Sequence, residues 1–477
     1  GMIWEQLLTD QDGQYVEIQS GRLFNQSADG STFTPFKHRG FSPYATDEWT
    51  EYWFPVKKTK GLQKVNPYGG FNFYKENNYV KWSFCPVQFI KDTVTITVDQ
   101  KVIKKKISFV PLKVVRDSIL IVSGGDEISF TIGDKFRYST IHQKEGLARP
   151  VDLPSTFDWS SAYGLYLKGK EWQRDRNYIK AEDLLAQSLA ADSLYISALA
   201  VMAELQYRKM NYSEALQYAL KGLSLDTYDP QTNFIYGLIQ KALYHYQDAR
   251  DGFSIAAAST DYKSAAYLEL ARLDALDQTY DRALSYAMRS TEFNAKNIEA
   301  LQLLAYIYRI KKNRSKAAEY LTQIYKLNPL NHFVDAERWL SNPSLNNKTQ
   351  LSGHIQQEFN DEVYLNLADW YLNVQSPKDA VSILGLAPDH TEILYWKAYA
   401  LHLSGDLSYT DVLHKAVSSS PEMVFPYRTT AQSVFKFSSE HVATWPPKYF
   451  LGLLAWSRGN TSAAKDLFES CGEPAFA

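Results

Sequence analysis

Glu17 and Gln19 are the first residues whose types could carry chemistry, and they lie in the strand-like stretch GQYVEIQSG at residues 13–21. A carboxylate there can act as a general acid or base, contact the hydroxyl groups of a sugar, or be a charge on the exposed face of a sheet. Acid–base catalysis also needs a partner group, and no histidine precedes Glu17. We therefore predict no catalytic residue, and we favour the exposed charge over a sugar contact.

Trp49 and Trp53 are a second candidate pair for sugar binding, in the aromatic run DEWTEYWF at residues 47–54. Residues four apart on a strand share one face, so the two rings can stack on a sugar. The same spacing equally suits core packing. Both interpretations stay open at this point.

Metal, cofactor and nucleic-acid functions have little support in the composition. The nine histidines show no metal-ligand spacing, and no HExxH, GxSxG or GxxxxGK[ST] motif occurs. Cys85 and Cys471 are far apart in sequence, which favours two reduced thiols over a disulfide framework or a zinc site. The 51 basic and 53 acidic residues nearly cancel, which disfavours a nucleic-acid partner. We predict no metal and no cofactor.

Targeting and membrane segments are not visible either. The first residues, GMIWEQLLTD, lack the basic and apolar regions of an export signal. The longest apolar stretches, such as YFLGLLAW at residues 449–456, are too short to cross a bilayer. A cytoplasmic location without membrane contact is favoured, provided that the native chain starts at Met2.

The elements that must position any site fall into two classes, and the change comes near residue 145. Before it the chain alternates in the manner of strands, as in TVTITV at residues 93–98. The stretch DSILIVSGGDEISFTIGD at residues 117–134 predicts a hairpin around its Gly-Gly-Asp turn. The lysines of KVIKKKI at residues 101–107 are typical of a protected edge strand.

The second half repeats. Five alanines follow one another at intervals of 34 residues: Ala181, Ala215, Ala249, Ala283 and Ala317. A small residue lies twelve positions before each of the last four: Ala203, Gly237, Ala271 and Ala305. The spacing predicts helix–turn–helix units whose two helices approach closely at the small residues. Three further units follow after the loop-like stretch SNPSLNNKTQLSGH at residues 341–354, giving about eight.

These spacings resemble the tetratricopeptide repeat. The resemblance implies a superhelix whose inner surface, lined by the first helix of each unit, binds a peptide or protein segment. Six positions on that surface could form the groove: Tyr207, Arg208, Lys241, Arg272, Tyr306 and Arg309. Four of them are cations and none is a carboxylate, so we predict an acidic or extended partner segment. The alternative, pairing of these cations with acidic groups on neighbouring helices, stays open.

The start of the chain resembles the C-terminal end of the galactose mutarotase-like super-sandwich. Glu17 and Gln19 match that superfamily's Glu-Pro-Gln strand, with Ile18 in place of the proline, and FSPYATDEWTEYWFPV at residues 41–56 matches its proline loop and aromatic strand. The resemblance implies a carbohydrate-binding or carbohydrate-processing accessory protein as the alternative function. The histidine acid of the superfamily is not matched in this sequence.

The prediction is therefore a multidomain protein, β first and then α: a β-sandwich-type N-terminal region followed by an all-α tetratricopeptide solenoid. Residues 1–70 are the end or remnant of a mutarotase-like sandwich, and residues 71–145 are a small β-sandwich domain. Residues 146–158 are a linker, and residues 159–477 are the solenoid. The favoured function is a non-enzymatic scaffold for protein–protein interaction.

Overall fold

The structure is a computed structural model that describes residues 43–46, 48–99, 101–120, 127–141, 156–356 and 359–472. The described residues form two compact units. The first contains residues 48–141, and the second contains residues 43–46 together with residues 156–472.

The first unit is a sandwich of two antiparallel sheets. Its strands are β1 (Lys64–Asn66), β2 (Gly69–Glu76), β3 (Tyr79–Pro86), β4 (Ile90–Val98), β5 (Lys101–Phe109), β6 (Val115–Leu120), β7 (Ile128–Ile132) and β8 (Phe136–Ser139). One sheet has the order β1-β2-β3-β6 and the other β5-β4-β7-β8. Alternation of apolar and polar residues gives strands such as β4 and β7 one inward face. Phe71 of the first sheet stacks on Phe130 of the second, with 4.1 Å between the ring centroids.

Two strand predictions have different outcomes. The lysine-rich segment is indeed an edge strand, because β5 pairs with β4 and lies at the end of its sheet. The hairpin predicted over residues 117–134 is wrong. β6 pairs with β3 in one sheet, whereas β7 pairs with β4 in the other. The two apolar runs therefore lie in different sheets instead of sharing backbone hydrogen bonds.

The second unit contains 19 helices in its described residues. The first ten are α1 (Ala162–Arg174), α2 (Tyr178–Ala191), α3 (Ile196–Arg208), α4 (Tyr212–Leu225), α5 (Pro230–Ala242), α6 (Tyr246–Ala256), α7 (Lys263–Leu276), α8 (Tyr280–Phe293), α9 (Ile298–Ile310) and α10 (Arg314–Leu327). The others are α11 (His332–Ser341), α12 (Leu345–His354), α13 (Asn360–Leu372), α14 (Pro377–Leu384), α15 (Thr391–Leu403), α16 (Tyr409–Val417), α17 (Thr429–His441), α18 (Pro446–Ser457) and α19 (Thr461–Glu469).

Consecutive helices pack as antiparallel pairs, and the pairs stack into a tetratricopeptide-like solenoid. The first helices of successive pairs also contact each other, as α3 does with α5 and α7 with α9. This contact places the first helices on the inner, concave side of the stack. Many helices begin at a side-chain cap; Asn177, for example, accepts the backbone N–H of Lys180 at the start of α2.

The small residues at the predicted helix–helix contacts are buried, which confirms the repeat register. Ala203, Ala271 and Ala305 are fully buried. A Cβ atom added to Gly237 would lie 2.7 Å from the ring of Phe253 on the paired helix. Gly237 therefore lets a phenylalanine fit where the other four pairs with the 34-residue spacing have leucine or alanine.

The solenoid contains more helices than the sequence predicted. The stretch at residues 341–354, interpreted as a loop, contributes helix α12, which packs on α11 as a further pair. Helix α17 precedes the last pair and has no counterpart among the predicted units. Leu351 is fully buried, so tertiary packing stabilises α12 despite its polar composition.

The turns inside the pairs share one backbone feature. A residue with positive φ follows the first helix in each of the first five pairs: Arg176, Met210, Tyr244, Gln278 and Lys312. These residues end the first helix, and none of them is the glycine that this conformation favours. Gly405 and Gly459 take the same place in later pairs.

The second and the last pair meet within the second unit. A Cβ atom added to Gly459, in the turn of the last pair, would lie 3.9 Å from the Lys209 side chain in the turn of the second pair. Arg458 is near enough to Tyr212 for an electrostatic interaction. Among the residues that the structure describes, no helix has the length and apolarity needed to cross a membrane.

Candidate partner-binding surface

The middle of the concave surface holds a cluster of four paired charges, here called the tyrosine pocket: Lys241 on α5, Glu269 and Arg272 on α7, and Glu299 on α9. Glu269 is 2% exposed and accepts one hydrogen bond from Lys241 Nζ and one from Arg272 Nη1, both at 2.6 Å. Arg272 Nη2 donates to Glu299 Oε2 at 2.7 Å. Stacking of successive first helices brings these residues together.

Electrostatics fixes the charge state of this pocket. Burial alone would raise the pKa of Glu269, but the Lys241 ammonium and the Arg272 guanidinium lower it to about 2. Glu269 is therefore ionised at neutral pH and is an acceptor only.

Tyr44 fills the tyrosine pocket. Its hydroxyl oxygen accepts a hydrogen bond from Arg272 Nη1 at 2.6 Å and donates to Glu269 Oε1 at 3.2 Å. The Arg272 guanidinium lies 5.4 Å from the centroid of the Tyr44 ring. Burial raises the pKa of Tyr44 to about 12, even though Arg272 opposes the shift, so the hydroxyl keeps its proton at neutral pH.

The backbone around Tyr44 is held by one side chain, Asn294, which directly follows α8. Asn294 Nδ2 donates to the carbonyl oxygen of Tyr44 at 2.7 Å. Its Oδ1 accepts a hydrogen bond from the Thr46 hydroxyl at 3.0 Å. Residues 43–46 are here called the strap. The strap is thus bound through the Tyr44 side chain, the Tyr44 main-chain carbonyl and the Thr46 hydroxyl.

Arg309 and Tyr306 belong to a second, more deeply buried cluster. Arg309 donates to both carboxylate oxygens of Glu337, at 2.8 and 3.1 Å, and to Asp379 at 2.7 Å. Glu337 is fully buried and also accepts the hydroxyl of Tyr371 at 2.8 Å. Tyr306 is only 2% exposed and lies beneath Arg309. These contacts give both residues a structural role.

Tyr207 and Arg208 lie at the end of α3. Arg208 donates twice to Glu204 one turn earlier on the same helix, and half of its side chain stays exposed. Tyr207 packs on Tyr212 with ring centroids 5.8 Å apart, and burial raises its pKa.

The structure contradicts the excess of positive charge that was predicted for the groove. Each of the four cations forms an ion pair with a carboxylate; the partners are Glu204, Glu269, Glu299, Glu337 and Asp379. This is the alternative that the sequence left open. It removes the charge basis for an acidic partner, whereas the six residues as a binding surface remain a prediction.

The residues considered for sugar binding gain no support. Glu17 and Gln19 lie outside the described residues. The aromatic strand predicted around Trp49 and Trp53 is wrong, because residues 48–57 contain no strand. Trp49 is 56% and Trp53 64% exposed, so neither packs into a core. Both indole N–H groups donate to Glu51, at 2.8 and 3.1 Å.

The sequence analysis did not select four residues: Glu269 and Glu299 of the tyrosine pocket, Tyr44, which fills it, and Asn294, which holds the strap. Glu269 was within reach of sequence reasoning, because it precedes Arg272 by three positions and so shares its helix face. Nothing local indicated Tyr44, which is 228 positions from Arg272.

Comparison with known proteins gives one family model and several solved structures. Residues 1–56 match a domain of unknown function, DUF5107, and this description does not confirm the mutarotase-like interpretation. A tetratricopeptide repeat protein from Parabacteroides merdae ATCC 43184 is 15% identical, with 50% of this chain and 98% of that chain covered and a TM-score of 0.38. PilF of Pseudomonas aeruginosa is 23% identical, with 36% and 78% covered and a TM-score of 0.33. YrrB, described as a tetratricopeptide repeat protein with an unusual peptide-binding site, is 20% identical, with 36% and 89% covered and a TM-score of 0.31.

Proposed function

We propose that this protein is an interaction scaffold that binds an extended segment of a partner protein on the concave surface of its solenoid. One observation carries the proposal: the strap lies in the tyrosine pocket in the manner of a bound peptide. Its main-chain carbonyl bonds to the Asn294 side chain, and its tyrosine bonds to Arg272 and Glu269. Contacts to a main-chain group accept many sequences, whereas a side-chain pocket selects among them.

The charges of the surface support a partner recognised through hydrogen bonds and aromatic contact, not through net charge. Lys241, Arg272 and Glu269 are already neutralised within the pocket. Long-range attraction of an acidic segment is therefore weak, and binding should change little with ionic strength.

The test is affinity capture with the full chain. Tyr44→Ala vacates the pocket, and proteins captured by this variant are identified by mass spectrometry. The same variant with Asn294→Ala added should lose at least one specific protein, because the main-chain contact is gone. A control adds Lys221→Ala instead, an exposed change on the second helix α4, and should capture the same proteins as Tyr44→Ala alone. Identical capture by all three variants would contradict binding at this surface.

A further inference from the structure

The tyrosine pocket offers one hydroxyl group a matched pair of contacts. Ionised Glu269 accepts a hydrogen bond from the Tyr44 hydroxyl, and Arg272 donates a hydrogen bond to the oxygen of that hydroxyl. A phenol hydroxyl has one proton to give and lone pairs to receive, so it satisfies both contacts at once. Hydrogen bonds to charged groups are the stronger class, so the pair can discriminate between side chains.

We propose that the partner segment presents a tyrosine side chain to this pocket and that Tyr44 is a built-in competitor for the same place. The inference rests on the proposed function and specifies its ligand. A phenylalanine would fill the space but leave both polar contacts unmade. A phosphotyrosine would bring a dianion against Glu269 and Glu299, with no proton to donate to Glu269.

The ring of the ligand is recognised as well as its hydroxyl. Tyr44 packs against a buried apolar cluster to which α7 contributes Leu270 and Leu273. The Arg272 guanidinium lies over the ring at a distance typical of a cation–π contact. Serine or threonine has a hydroxyl but no ring, so neither can make this apolar contact while reaching Glu269.

Asn294 adds a preference two positions after the tyrosine. Its amide nitrogen holds the tyrosine carbonyl, which leaves its oxygen to accept a hydroxyl proton, as it does from Thr46. The ligand motif is therefore tyrosine, any residue, then threonine or serine. The strap residues Tyr44, Ala45 and Thr46 fit this motif themselves.

Competition by the strap lowers the affinity for any external segment. The apparent dissociation constant equals the intrinsic one divided by the fraction of molecules whose pocket is open. Tyr44→Ala raises that fraction, so the variant should bind an external tyrosine segment more tightly than the native chain.

The experiment uses the full chain with Tyr44→Ala and a fluorescent peptide with the sequence of residues 41–48, FSPYATDE. Fluorescence anisotropy should show saturable binding, about tenfold weaker when tyrosine is replaced by phenylalanine and weaker still when it is phosphorylated. The native chain should bind the same peptide at least several-fold more weakly than Tyr44→Ala. Adding Glu269→Gln to Tyr44→Ala should reduce the preference for tyrosine over phenylalanine, whereas adding Lys221→Ala should leave it unchanged.

Equal affinity for the tyrosine and phenylalanine peptides would overturn the tyrosine assignment, as would tighter binding of the phosphorylated peptide. No binding by a Tyr44→Ala variant with an unchanged melting temperature would also overturn it. If that variant is less stable, Tyr44→Phe keeps the ring, and the tyrosine peptide should still bind it more tightly than the native chain. These results leave the proposed function to the capture experiment, which asks about Asn294 and uses no tyrosine peptide.

Discussion

Glu269 and Glu392 are both 2% exposed, yet their pKa values shift in opposite directions. Two cations touch Glu269 and lower its pKa to about 2. Burial raises the pKa of Glu392 to about 7, and the attraction of Arg428 does not compensate. Glu392 accepts a hydrogen bond from the indole N–H of Trp396 at 3.2 Å. Burial therefore decides the pKa only where ion pairing does not outweigh it.

The two carboxylates predict opposite effects on stability. Glu269 binds fewer protons in the folded state, so its contribution is present above pH 4.5 and is lost as the pH falls towards 2. Glu392 binds more protons in the folded state, so stability falls as the pH rises from 4.5 to about 7. At pH 8, Glu392→Gln should raise the free energy of unfolding by roughly 1–3 kcal/mol, and Glu269→Gln should lower it by a similar amount.

Urea unfolding of the native chain and both variants at pH 4.5 and pH 8 checks this prediction. The gain from Glu392→Gln should shrink at pH 4.5, where the native carboxyl is already neutral. A gain of equal size at both pH values would mean that the charge of Glu392 is not the cause.

At the same scale, the limits of the sequence are visible in the ion pairs. Arg272 and Lys241 could be placed on the concave surface because the repeat fixes helix faces. Their partners lie 27 and 28 positions away, on the next first helix, and the repeat length brings them within reach. Tyr44 could not be placed in this way, because the strap is not part of any repeat.

Each helix pair needs complementary volumes at its closest approach. Gly237 accommodates Phe253 in the third pair, and the equivalent positions of the fifth pair hold Ala305 and Leu321. The last pair follows the third, because a Cβ atom on Gly452 would meet the Phe468 ring. A larger residue on one helix therefore goes with the smallest residue on the other.

Gly237→Ala should lower the free energy of unfolding by roughly 1–3 kcal/mol, because the new methyl group overlaps the Phe253 ring. Adding Phe253→Leu should recover part of this loss, since it recreates the combination of the fifth pair. Thermal unfolding of the single and double variants measures both effects. A double variant that is no more stable than Gly237→Ala would show that the two side chains do not compete for one space.

Positive φ at the turn residues gives a second prediction about the pairs. Lys312 is exposed and has a φ of 60°, a conformation that costs a non-glycine residue about 1 kcal/mol. Lys312→Gly should therefore raise the melting temperature slightly, with a gain of roughly 0.5–1 kcal/mol. Gln323→Gly, on the exposed face of α10, is the matched control and should lower stability by about 1 kcal/mol. A loss of stability in both variants would contradict the strain at Lys312.

The helix pairs also show why the repeat pattern was only partly readable. The first five pairs keep the 34-residue spacing because each uses small residues at the same close contact. The sequence of α12 is rich in asparagine, serine and glycine and therefore does not show the pattern of a helix. The helix depends on one buried leucine, Leu351, and on the Ser344 cap. The prediction around Trp49 and Trp53 was wrong in the opposite way: the aromatic run has the pattern of a strand, but the fold forms no strand there.

Over the whole second unit, the Lys209 side chain lies close to Gly459, and Arg458 interacts electrostatically with Tyr212, so two pairs that are far apart along the stack come together. Stability in a simple solenoid is a sum over neighbouring pairs. Here we expect the second pair to depend on the last one as well. Loss of the last pair should therefore be felt in α3 and α4.

Truncation after residue 444 removes α18 and α19 and tests this dependence by hydrogen exchange. The amides of Met210 and Asn211 bond to the carbonyls of Tyr207 and Gln206, at 2.9 Å each, and they should exchange several-fold faster in the truncated chain. The equivalent amides of Lys312 and Asn313, bonded in the same way at 2.9 Å, are the control and should be unchanged. Equal acceleration at both turns would indicate general destabilisation instead.

The approach of the second and last pairs, through Lys209 and Gly459 and through Tyr212 and Arg458, also bears on how the solenoid responds to force. A solenoid extends through small rotations between successive helix pairs, and every pair shares the strain. An interaction that bridges the second and last pairs resists these rotations directly, so extension must break it before the pairs can separate. We therefore expect a stiff initial response to a pulling force and a softer one after this interaction has ruptured.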